Sequence, residues 1–252
     1  MLYAALTFWI IVIVFAAWGV HTLWSDMVKP RVVNAVLLPG TLVAQLGHVL
    51  GLLITGNSVQ NTTLMGDDER GEPQSETPEQ SRVPVVGPIL TGLLPLVACC
   101  GCLYMAAYWW GGSVLSGMMQ QAAVQVPQVL PTTLPAVWEL LRTLITVSET
   151  MLNSIIRADL ANWSTVLFLY LAVCLTVRMT PMEGNRRGAL AAIFFAGLIV
   201  ALLASFSPRV QTFLQSSWPI LSFAVGMLLF LLMVSLVVRG VVGLARVLAR
   251  NE

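Results

Sequence analysis

The chain has 252 residues, 57% of them hydrophobic and 10% charged, with a mean hydropathy of +0.83. Soluble domains carry about 25% charged residues, so this composition excludes an ordinary soluble domain and predicts an integral membrane protein in contact with the lipid bilayer. The net charge of +1 comes without a basic stripe, which excludes a nucleic-acid partner from the expected functions.

Met1 to Trp24 holds one titratable side chain, His21, and is long enough to cross a bilayer. It lacks the short basic region and small-residue cleavage site of a signal peptide, so it reads as a retained span. Ser25 to Arg31 is a polar turn carrying Asp26, Lys29 and Arg31. The second span, Val32 to Thr55, has no charged side chain but contains Asn34, Gln45 and His48. Polar groups at membrane depth are costly and face protein or a water-filled cavity. Pro39-Gly40 interrupts this span; in the helix expected after the break, Ala44 and His48 share one face with Gln45 beside them. Residues 56–83, including Asp67-Asp68-Glu69-Arg70-Gly71-Glu72-Pro73, bury too little apolar area to offset ordering entropy and are expected to form a flexible acidic, Pro-rich loop.

Pro84 to Trp110 is the third span, with Gly87-Pro88 near its start and Pro95 in its middle. Its Cys99-Cys100-Gly101-Cys102 cluster reads as small residues that let helices pack closely, because no histidine or second cysteine pair completes a set of four soft ligands. Gly111 to Thr133 is expected to be irregular or partly helical. Residues 134–158 form an amphipathic helix, with Val137, Leu140, Leu141, Leu144, Ile145, Leu152, Ile155 and Ile156 on one stripe. Glu139, Arg142, Glu149, Asn153 and Arg157 occupy the other face. That polar face is too strong for a span, so this helix is expected to lie at the membrane interface. Leu160 to Val177 is the fourth span and Arg178 to Arg187 a polar turn. Gly188 to Phe206 is the fifth span, Ser207 to Trp218 a loop, and Pro219 to Val238 the sixth. Residues 239–252 form a basic tail whose Arg239, Arg246 and Arg250 suit an anionic cytoplasmic leaflet. The expected fold is therefore one multi-span domain over residues 1–252, an all-α integral membrane protein with about six transmembrane helices and one interfacial amphipathic helix.

Six crossings put the 56–83 loop, the Arg178–Arg187 turn and the tail on one side. That side holds Arg70, Arg82, Arg178, Arg186, Arg187, Arg239, Arg246 and Arg250, against Lys29, Arg31, Arg142, Arg157 and Arg209 on the other. The excess of positive charge predicts that both termini are cytoplasmic.

The run Leu37-Leu38-Pro39-Gly40-Thr41-Leu42-Val43-Ala44-Gln45-Leu46-Gly47-His48-Val49-Leu50-Gly51 resembles the active-site helix of the site-2-protease-like membrane zinc metallopeptidases. In an H-E-x-x-H helix two histidines hold zinc and the glutamate activates water; here the pattern reads A-Q-L-G-H. The Gly87-Pro88 and Leu94-Pro95 segment is similar to the helix that follows in bacterial relatives. The Met179-Thr180-Pro181-Met182-Glu183-Gly184-Asn185 turn is similar to a later motif that carries an acidic residue after a proline.

The resemblance implies a helical core, zinc held within the bilayer by two histidines and an acidic group, and cleavage of peptide bonds in or beside membrane helices. Carried over by position, Ala44 stands where a metal ligand is lost and His48 is the histidine kept. Gln45 replaces the general base and cannot take a proton from water. Asn185 offers a carboxamide where an acid is expected, and Glu183 is a substitute ligand two residues away. One imidazole falls short of the three protein ligands of a catalytic zinc, so no cofactor is expected as the chain is written. The expected function is an inactive metallopeptidase-like protein that binds a membrane protein or membrane helix. The alternatives are an intramembrane zinc metalloprotease inactivated by substitution at Ala44 and Gln45, and an unrelated transporter or membrane assembly subunit.

Overall fold

Apolar runs in lipid must satisfy their own backbone N–H and C=O groups, and a helix does this residue by residue. The computed structural model describes residues 2–55, 86–120, 125–179 and 186–250. The regular elements among these described residues are nine α-helices: α1 (Leu2–Met27), α2 (Pro30–Val36), α3 (Leu38–Ile54), α4 (Val86–Trp110), α5 (Gly112–Gln120), α6 (Leu134–Arg157), α7 (Trp163–Val177), α8 (Arg186–Phe206) and α9 (Pro208–Arg250). Three stretches, Leu2–Met27, Ile89–Trp110 and Pro208–Leu244, are long and apolar enough to cross a membrane. The apolar helices Leu38–Ile54, Trp163–Val177 and Ile193–Ala204 are shorter. This is the helix content of an all-α membrane protein. The acidic loop expected over residues 56–83 lies outside the described residues.

α1 and α9 form the long axis of the bundle. Ala5, Trp9, Ile13, Ala17 and Val20 recur at helical spacing and are buried. Gly19 leaves the room that Leu232 fills, since a Cβ there would stand 3.0 Å from Leu232 Cδ1. Further along, Trp24 Nε1 donates to Ser235 Oγ at 2.8 Å, and Asp26 meets Arg239 at 3.0 Å. Residues 19, 24 and 26 thus pair with 232, 235 and 239, so the two helices run parallel. Arg239 leaves the bundle beside the end of α1 that is farthest from Leu2. An even number of crossings with both termini on one side would set the first and last spans antiparallel, and the packing departs from that expectation.

α9 also corrects the expected loop at Ser207–Trp218, and it runs on into the basic tail expected from Arg239. Both belong to one helix of 43 residues, which at about 1.5 Å per residue spans about twice the ~30 Å hydrocarbon layer. Pro219 lies inside it and removes one donor, that of the helical bond to the Gln215 carbonyl. The Ser216 and Ser217 hydroxyls stay within the helix, both donating to the Phe213 carbonyl, at 2.9 and 2.7 Å. The polar turn expected at Ser25–Arg31 is similarly shortened, because α1 continues to Met27 and α2 starts at Pro30.

The connection after α5 holds irregular backbone inside the bundle. Val126 is buried, and its N–H donates to Ser222 Oγ at 3.2 Å. Its carbonyl accepts from Trp218 Nε1 at 2.7 Å, while Trp9 Nε1 donates to the Pro127 carbonyl at 2.9 Å. Non-helical backbone is tolerated in such a place when protein groups satisfy it.

α6 begins at Thr133, whose hydroxyl caps Ala136 N at 3.4 Å. Its inward face is not centred on the apolar stripe read from the sequence. Val147, Thr150, Met151 and Ser154 are buried, whereas Val137, Leu141, Ile145 and Ile156 are exposed. Thr150 can turn inward because its hydroxyl donates to the Thr146 carbonyl at 2.8 Å, leaving no unmet donor.

Candidate functional site

The site begins at the break between α2 and α3. Pro39 sits in the first turn of α3, where its missing N–H removes no helical bond. The Val36 carbonyl at the end of α2 accepts from Tyr170 Oη of α7 at 2.8 Å, with Cys174 Sγ at 3.5 Å. Gly40 is required by close approach, since a side chain there would run into the Cys174 carbonyl. The Pro39-Gly40 pair thus lets α7 reach the start of α3.

From there α3 presents two faces. Leu42, Leu46, Leu50 and Leu53 are exposed and form an outward stripe. Gly40, Thr41, Ala44, Gln45, Gly47, His48, Gly51 and Leu52 are buried. A Cβ on Gly47 would lie 2.7 to 2.9 Å from the backbone of Leu94 and Pro95, and one on Gly51 would lie 3.0 Å from Thr91 Cα. Two glycines one turn apart therefore bring α3 and α4 into backbone contact, as small residues do in membrane helix pairs. The pairs 47 with 95 and 51 with 91 run in opposite order, so α3 and α4 are antiparallel.

His48 lies between those glycines and is 3% exposed. Its Nδ1–H donates to the Thr91 carbonyl at 3.3 Å. Thr91 is four residues before Pro95, which lies inside α4 and has no N–H to close the helical bond to that carbonyl. The imidazole supplies the donor that the proline withholds. The distant Gly47–Pro95 contact and the His48–Thr91 bond are therefore one piece of packing.

Ala44 and Gln45 share this buried face, Gln45 being 6% exposed. The structure brings Ala44, Gln45 and His48 together on α3, as the spacing predicts. Glu183 and Asn185 lie outside the described residues. Among the described residues, no group of three His, Cys, Asp or Glu side chains converges to hold a metal ion. The donor set of Ala44, Gln45 and His48 does not fit zinc, because a methyl group binds nothing and a carboxamide is a poor replacement for a carboxylate. The cysteines of α4 diverge as well, with Cys99 buried and Cys100 exposed.

A second polar cluster escapes the reading by motifs. Arg178, expected in a solvated turn, is buried at the C-terminal end of α7. Its Nη2 donates to Asn34 Oδ1 of α2, and its Nη1 lies 3.5 Å from His21 Nε2 of α1. A cation suits a helix C-terminus, and here it ties three helices together. The signal for it was present in the sequence: Asn34 and His21 are polar residues in otherwise apolar runs, and such residues face protein. Comparison with known protein families, with curated proteins and with solved structures gives no match.

Proposed function

We propose that this chain is a site-2-protease-like membrane protein without peptidase activity, which acts by binding a membrane-embedded partner. The observation that carries the reading is the bond from His48 Nδ1 to the Thr91 carbonyl. A ring nitrogen tied to a backbone carbonyl is how metal-binding histidines are oriented, and that pose persists beside Ala44 and Gln45, which provide neither a ligand nor a base. The end of the bundle carrying Lys29, Arg31 and Arg239 faces the cytoplasm, in keeping with the positive-inside rule.

Metal analysis of the purified full chain, beside the double variant Ala44→His/Gln45→Glu, tests this. The expected result is no stoichiometric zinc and no cleavage of a membrane-helix substrate by the natural chain, with zinc retained by the double variant. Stoichiometric zinc and cleavage by the natural chain would overturn the absence of activity. A double variant that fails to retain zinc would remove the kinship.

A second reading, a membrane assembly subunit unrelated to peptidases, is favoured by one observation. Pro95 leaves the Thr91 carbonyl in need of a donor, and closing that gap is sufficient reason for a buried histidine.

A further inference from the structure

α6 and α9 do not close on each other along their whole contact. Gly226 of α9 packs closely on Val147 and Met151 of α6, which lie 3.2 to 3.4 Å from where its Cβ would be. One to two turns on, the helices part around a groove of about 640 Å³, within the roughly 300–1,000 Å³ of ligand pockets. Leu141 and Ile145 line one wall, Leu232 and Met233 the other. Ser148 also lines it, but its hydroxyl donates to the Leu144 carbonyl at 2.9 Å within its own helix. The groove therefore offers apolar surface along its length.

One charged side chain, Arg142, lines the groove, four residues after Trp138, which is 71% exposed. Arg142 is exposed and makes no ion pair among the described residues. Glu139 and Glu149 sit on the adjoining polar sector of α6 and do not line the groove. A tryptophan and an arginine on one helical face, next to an apolar slot, match the layering of a lipid interface: aromatic and cationic groups at headgroup level, hydrocarbon below.

We propose that this groove holds an acyl chain of an anionic phospholipid, with the phosphate group on the Arg142 guanidinium. The apolar walls take the chain, and the exposed Arg142 guanidinium selects the charge. Guanidinium suits the task because its fixed donors match phosphate oxygens.

The test is native mass spectrometry of the full chain in neutral detergent, titrated with phosphatidylglycerol and phosphatidylcholine of identical acyl chains. One phosphatidylglycerol is expected to be retained about fivefold more tightly, the effect of one basic residue near an anionic headgroup. Arg142→Gln removes the preference and Arg142→Lys keeps it. Both change an exposed side chain, so the packing stays as it is. Ile145→Trp, which fills the slot, lowers retention of both lipids. Equal retention of the two lipids by the natural chain, or a preference that survives Arg142→Gln, overturns the proposal. A concentration-dependent dimer abolished by Ile145→Trp would assign the groove to a second copy of the chain and overturn it as well.

Discussion

The α3–α4 contact and the α6–α9 contact solve the same packing problem in opposite ways. Both rest on glycine, but a Cβ on Gly47 would stand 2.7 to 2.9 Å from the backbone of α4, while one on Gly226 would have 3.2 to 3.4 Å to Val147 and Met151 of α6. Where glycine meets backbone, nothing can move aside and the helices lock along two turns. Where the space is a few tenths of an ångström wider, the contact can adjust, and the helices part a turn later into an open groove. The rigid contact encloses the polar residues of the candidate site. The adjustable one leaves an apolar surface for something else to cover.

The largest expected effect comes from forcing a side chain into the rigid contact. Gly47→Leu should cost about 3 kcal/mol or more, because a main chain cannot shift as a rotamer does. Thermal unfolding in detergent, with the monodisperse fraction by gel filtration, measures this. A variant that unfolds like the natural chain would show that α3 and α4 do not touch at Gly47.

Next in size is the bond that fills the gap left by proline. His48→Leu should cost about 1–3 kcal/mol, since it leaves the buried Thr91 carbonyl without its donor. Pro95→Ala restores a helical N–H to that carbonyl, so the same histidine substitution in the Pro95→Ala background should cost about 1 kcal/mol less. A double-mutant cycle gives the coupling directly. Additive costs would mean that His48 is buried for another reason, and would strengthen the case for a former ligand.

The smallest effect belongs to the adjustable contact. Gly226→Ala meets neighbours that must give by a few tenths of an ångström, while alanine gains about 1 kcal/mol of helix propensity over glycine. The two terms oppose each other, and stability should stay within about 1 kcal/mol of the natural chain. A loss as large as that from Gly47→Leu would erase the difference between the two contacts.

Much of this architecture is legible in the amino-acid order, and the misses have identifiable causes. The shared face of Ala44, Gln45 and His48 follows from helical periodicity and is present in α3; the interruption expected at Pro39-Gly40 falls at Leu37, with Pro39 in the first turn of the new helix. The loop expected before Pro219 does not exist, because a proline takes away one helical bond and leaves those of the flanking turns in place. The inward face of α6 was displaced because hydrophobicity ranks Thr150 and Ser154 as polar, although a threonine bonded to its own helix is content in a core. Arg178 reads as a solvated charge in the sequence, because its partners are 144 and 157 residues away in the chain.

Helical backbone and a membrane habitat were settled by local composition, because lipid offers no hydrogen bonds and each apolar run must meet its own needs within a few residues. Which polar groups would meet was another matter. The Thr91 carbonyl needs a donor wherever Pro95 stands, but that the donor is His48, and that Arg178 finds Asn34 and His21, depends on which helices come to lie together. Those encounters are fixed by contacts between distant residues, and no window of neighbouring residues contains them.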